Sequence, residues 1–164
     1  MNMSRVIPED QHWAARTQML IDSQLIERSA ILFGRAIDSR DADTPLFDEC
    51  LTDDVEFSYP FGKWKGLTEH RRVYRTHVLK LFAATQHFFS NALIDISGNS
   101  AVAQYYVTAV HKLPVARGGE VAKLGLIYDQ ELLKASGHWK IKRQVGQFIW
   151  ADSTFESITL EAIS

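Results

Sequence analysis

The chain has 164 residues, 46% of them hydrophobic and 23% charged, with a net charge of −2. This length and balance suit one folded domain with a sizeable core and exclude a disordered chain. A slightly acidic charge argues against nucleic acid or an anionic membrane surface as partner, since each requires a basic face.

The first segment, Met1 to Gln18, mixes Arg5, Glu9, Asp10 and Arg16 with few apolar residues. It lacks the apolar core of a signal peptide, and no later run reaches the length of a membrane span. Residues 1–15 read as an arm. From about Arg16 to Arg40, Leu20, Ile21, Leu25, Ser29, Leu32, Phe33, Ala36 and Ile37 recur at helical spacing. Thr44-Pro45 predicts the cap and first residue of a short helix through Cys50. Cys50 is the only cysteine, so no intramolecular disulfide can form, and a cytoplasmic location is the expectation.

Val55 to Tyr59 alternates as a strand does, and Pro60-Phe61-Gly62 turns it back into Lys63-Trp64-Lys65 as a hairpin partner. Lys63 and Lys65 there discourage edge pairing. Gly66-Leu67-Thr68 opens a third helix whose apolar face carries Val73, Tyr74, His77, Val78, Leu81 and Phe82. Four strands follow, over about 85–97, 100–115, 120–135 and 138–151, separated by Gly-containing turns. Residues 152–164 read as a C-terminal tail. Helices first and a meandering sheet second predict an α+β fold in one domain over 1–164, its helices gathered on one face of the sheet. Long strands curl, and a curled sheet covered by helices encloses a pocket.

Strand alternation decides what lines that pocket. His87 shares a face with Phe89, Asn91 and Leu93; His111 shares one with Tyr105, Val107 and Ala109; Leu124, Leu126, Tyr128 and Gln130 form a third set. With these sets inward, the interior is apolar with two histidines set into it, the composition of a small-molecule site. Each histidine alone reads equally well as a core residue bonded to a carbonyl. Asp38 adds weight to the first reading. It ends a helix at the negative pole of the helix dipole, and burial would raise its pKa, so a nearby imidazole is the natural partner. The competing reading makes Asp38 the start of a surface turn. His77 reads as core or pocket wall, and His12, His70 and His138 as solvated. No phosphate loop, nucleotide fingerprint, zinc spacing or serine triad pattern is present.

Three segments carry a resemblance: Ile37-Asp38-Ser39-Arg40-Asp41-Ala42, Leu51 to Tyr59, and Thr85-Gln86-His87-Phe88. Together they resemble the nuclear transport factor 2 superfamily, in its SnoaL-like branch that includes scytalone dehydratase, over about residues 16–151. The resemblance implies a cone-shaped barrel of a strongly curved mixed or antiparallel sheet closed by three N-terminal helices, in a homo-oligomer of two or three subunits. It implies Asp38 as the partner of a catalytic His87, Tyr59 as the group that binds a substrate carbonyl, and His111 as a second histidine. Ile37, Phe33 and Tyr128 depart from residues of known relatives, so the proton machinery is kept while the substrate contacts differ.

His87 would then abstract a proton while Tyr59, with Tyr128 or Asn91, donates to the oxygen where charge builds. His111 would protonate the leaving group or fix the substrate. The expected activity is a cofactor-independent lyase of dehydratase type acting on a hydrophobic, aromatic, oxygenated small molecule. No metal, nucleic acid or membrane is called for. Phe33, Phe89, Phe148 and Trp150 are candidate substrate contacts, and Phe88, Trp64 and Tyr105 add to the aromatic supply, which suits an ordinary core equally well. Three alternatives stand beside this reading. The first is a carbon–carbon lyase releasing formaldehyde from a diarylpropane-type diol. The second is an iron site of His87, His111 and Asp38. The third is a non-catalytic binding module.

Overall fold

The computed structural model describes residues 9–163, with side chains described over 12–158. Helix α1 (Glu9–Asp38) is followed by α2 (Pro45–Cys50), strands β1 (Leu51–Tyr59) and β2 (Gly62–Lys65), and helix α3 (Leu67–Val73). A π-helical turn over Tyr74–Val78 joins α3 to α4 (Leu79–Leu81). Strands β3 (Ala84–Ser97), β4 (Ser100–Lys112), β5 (Val121–Ala135) and β6 (His138–Ala151) complete the sheet, and α5 (Ser153–Ile163) ends the chain. The residues read as a tail therefore form a helix, because Phe155 and Ile158 give it an apolar side that packs on Phe82, Leu113 and Ala122. Of the arm, residues 9–15 already belong to α1, and residues 1–8 lie outside the described residues.

The sheet runs β2-β1-β6-β5-β4-β3. All neighbours are antiparallel except β1 and β6, which are parallel, so the sheet is mixed. It is strongly curled but not closed, with β2 and β3 at its edges. This is the cone-shaped α+β plan. Helix α1 lies against β3 and β6, and α2 and α3 pack near β1.

Two devices seat α1. Its buried stripe is Asp22, Ile26, Ser29, Ala30, Phe33, Ala36 and Ile37, a helical period that faces the sheet. Ser29 donates to the Trp139 carbonyl at 2.6 Å, and Asp22 accepts Trp139 Nε1–H at 2.9 Å and Lys134 Nζ at 2.6 Å. The stripe starts later than the sequence pattern implied: Leu20 and Ile21 are exposed, and burial along α1 begins at Asp22. Trp139 is 2% exposed and packs in the main core. Trp139→Ala is therefore expected to cost about 3–5 kcal/mol, read as a fall in the denaturant midpoint. No helix among the described residues is long and apolar enough to cross a membrane.

Candidate active site

The site begins at the last residue of α1. Gly34, one turn earlier, lets the helix approach β3 closely; a Cβ there would meet the Phe89 ring at 2.8 Å and His87 Cβ at 3.6 Å. That approach delivers the Asp38 carboxylate to β3. Its Oδ1 accepts His87 Nδ1–H at 2.7 Å and Thr85 Oγ1–H at 3.0 Å, and its Oδ2 accepts the His87 backbone N–H at 2.9 Å. On this edge strand the carboxylate thus serves as partner to a backbone donor as well as to the ring.

Burial pushes the Asp38 pKa up, as the sequence suggested. The ring and backbone N–H of His87 and the Thr85 hydroxyl outweigh it, and the net direction is down. An ionised carboxylate offers only acceptors, so His87 Nδ1 must donate, and in the neutral ring that leaves the lone pair on Nε2. The His87 side chain is 6% exposed and lines a cavity of about 240 Å³.

His111 enters the same cavity from β4, where it pairs in register with Thr85. Its ring lies 5.5 Å from that of His87 and stacks on Phe82 at 4.3 Å. Burial, and then the neighbouring His87, push its pKa down to about 3, so it is neutral across the physiological range. Its Nδ1 has no hydrogen-bond partner among the described residues.

Tyr59 from β1 and Tyr128 from β5 form a second polar group on the wall, with rings 5.9 Å apart and a hydrogen bond between them. Tyr59 also accepts Gln144 Nε2–H, and Gln144 in turn accepts Gln130 Nε2–H at 2.7 Å. Burial raises both phenols, Tyr59 well above its ordinary value and Tyr128 to about 12, so both remain donors at neutral pH. Gly146 makes room for this arrangement, because a Cβ there would fall 2.3 Å from the Tyr59 ring. Gly146→Ala is expected to destabilise by about 1–3 kcal/mol through overpacking, seen as a lower thermal midpoint.

The apolar wall includes Phe33, Ile37, Leu124, Leu126 and Phe148. Phe155 and Ile158 of α5 also line it, two contacts that the reading of this segment as a tail missed. Three expected contacts are elsewhere. Phe89 packs behind the wall, on Tyr105 at 5.7 Å and Tyr128 at 5.8 Å. Asn91 is exposed: it occupies a bulge between Ser90 and Leu93 with φ 52°, and the one extra residue reverses which side chains face inward. Leu93 points outward for the same reason, and Ile94 and Ile96 face the core. Trp150 is 48% exposed and lies across the backbone of Gly125.

His77 lines the cavity, exposed, with Nδ1 donating to the Val73 carbonyl at 3.1 Å. His12 and His138 are exposed, as expected. His70, read as solvated, is 5% exposed and part of the cavity wall. A signal for it existed, since His70 stands three residues before Val73 on the same helical stripe. Among the described residues, no three His, Cys, Asp or Glu side chains converge as a metal site requires. The Asp38 carboxylate is engaged at His87 Nδ1.

A curled sheet, covering helices and a pocket holding an Asp–His pair define a domain of the nuclear transport factor 2 kind. A family model for the SnoaL-like domain matches residues 18–145, and the chain belongs to that family. No curated protein matches it by sequence. Among solved structures, a protein of Kribbella flavida superposes with a TM-score of 0.77 at 17% identity, over 84% of this chain and 97% of its own. A hexachlorocyclohexane dehydrochlorinase of type 2 gives 0.75 at 16% identity, over 84% and 91%. A candidate scytalone dehydratase from Novosphingobium aromaticivorans gives 0.74 at 24% identity, over 84% and 90%. These likenesses establish the fold.

Proposed function

We propose that this protein is a cofactor-independent lyase of dehydratase type, acting on a neutral, hydrophobic aromatic compound that carries a hydroxyl beside an activated carbon. The observation that carries this reading is the Asp38–His87 pair at the wall of an apolar cavity, with Nδ1 engaged by the carboxylate so that the neutral ring presents Nε2 as the base. His87 Nε2 takes a proton from the activated carbon, and the C–H electron pair becomes the new double bond as the C–O bond breaks. The departing hydroxyl takes the proton back from His87 and leaves as water. Asp38 stabilises the imidazolium that exists between the two transfers.

Tyr128 donates to the oxygen that gains charge when the proton leaves, and Tyr59, whose single proton serves the Tyr128 oxygen, holds that phenol in place; both stay protonated. His111 holds the substrate rather than supplying a proton, because a neutral ring is a poor acid and a second cation so close to His87 is disfavoured. Similarity of fold to a dehydrochlorinase and to a candidate dehydratase supports elimination as the reaction class. The same reading places the chain in a single domain, assembled as a homo-oligomer in the cytoplasm.

The test is mass spectrometry of aryl hydroxy-ketones and diarylpropane diols after incubation with the protein. Loss of water from a hydroxy-ketone is the expected result. Release of formaldehyde from a diol would move the chemistry to carbon–carbon cleavage, and an unchanged panel that nonetheless binds would leave a binding module.

A further inference from the structure

His70 lies outside the proton-transfer machinery, yet it is held as firmly as His87. Its ring stacks on Phe57 at 4.3 Å and meets the edge of Phe47 at 4.9 Å. Trp64 Nε1 lies 3.2 Å from its Nδ1. An indole N–H can only donate, so Nδ1 must accept and the proton of the neutral ring must sit on Nε2. Burial, and then the charge of Arg71, hold the ring neutral, with a pKa of about 3.

As neutral rings, His70 and His87 are therefore held in opposite tautomers. Asp38 leaves His87 with a bare Nε2, a base; Trp64 leaves His70 with a protonated Nε2, a donor. That donor has no partner among the described residues and is shielded from bulk water, although its ring belongs to the cavity wall. An unmet buried donor is destabilising, and a ligand acceptor would offset that cost. The lining also limits what that acceptor can be. No Lys, Arg, Asp or Glu lines the cavity among the described residues, so a charged ligand would lose its hydration without a counter-charge.

We infer that His70 is a specificity residue whose Trp64-locked Nε2–H receives a neutral acceptor oxygen, a ketone carbonyl, on an uncharged aryl substrate. The inference deepens the lyase reading by naming the substrate class, and rests on the same cavity being the substrate site. Removing the lock or the donor costs recognition of the oxygen while leaving the His87 chemistry in place.

The test uses the intact protein with α-tetralone and tetralin, the same skeleton with and without the carbonyl. Nitrogen-15 NMR of the free wild type should show a pyridine-like Nδ1 and a protonated Nε2 at His70. On adding tetralone the Nε2 proton should shift downfield, and tetralin should leave it in place. Tetralone should bind about tenfold more tightly than tetralin. His70→Phe should abolish most of that preference, and His70→Gln, which keeps a donor near the Nε2 position, should retain it. His87→Ala should also retain it, so failure of the lyase reading and failure of this one are told apart. A bare Nε2 in the wild type, equal affinities, no binding of the ketone, or an unchanged preference in His70→Phe would each overturn the inference. The wild-type NMR result stands even if a variant does not fold.

Discussion

His87→Ala is expected to lower turnover by about 10²–10⁴, the range that a positioned base contributes. The variant removes the only nitrogen that Asp38 holds ready at the cavity, and neither His111 nor His70 can replace it. His111 is stacked on Phe82 without a carboxylate partner, and the unengaged nitrogen of His70 already carries a proton. The fold should persist, because the ring fronts a cavity and Asp38 keeps its bonds to the His87 backbone N–H and the Thr85 hydroxyl. The measurement is the initial rate of water loss by mass spectrometry, beside circular dichroism to confirm folding. Asp38→Asn should fall in the same range, because an amide neither fixes the required tautomer nor stabilises the imidazolium. Full activity in His87→Ala would remove this residue from the chemistry.

Acid should unfold the protein earlier than its composition suggests. His70 and His111 have folded-state pKa values of about 3, against about 6.5 in an unfolded chain. Between those values the unfolded chain binds protons that the folded one refuses, so stability rises with pH and falls as pH drops. Each histidine removes about 1.4 kcal/mol per pH unit below 6.5, against a typical total of about 5–15 kcal/mol. Asp38 adds to this at lower pH: its folded pKa is depressed, so its contribution is present above the unfolded carboxylate value and is lost as pH falls through the folded one. Urea midpoints should be level from pH 7 to 8 and decline steadily below about 6.5. His70→Phe and His111→Phe should each flatten that decline. A midpoint constant down to pH 4 would mean that neither ring is held neutral by burial.

The order of the main elements from α1 to β6, the α+β class and the need of Asp38 for an imidazole partner were legible in the sequence, and the resemblance pointed to His87 as that partner and to His111 and Tyr128 near it. The first three depend on local periodicity, on turn residues between strands, or on a chemical need that one neighbour satisfies. A carboxylate at a buried helix end needs a donor, and the segment Thr85 to Asn91 supplied one.

Other features depended on contacts between distant residues. The bulge at Asn91 inserts one residue relative to β4, which turns Asn91 and Leu93 outward, and simple alternation contains no sign of it. Trp150 follows strand spacing, yet Gly125 on the neighbouring strand gives its ring a place off the cavity. Helix α5 gains its buried side only against Phe82, Leu113 and Ala122, which earlier segments bring to it. His70 stands between polar neighbours, Glu69 and Arg71, and only the packing of Phe47, Phe57 and Trp64 around it makes it a buried, oriented donor. Local pattern specifies which residues can be buried; which of them face the cavity depends on register and on partners far along the chain.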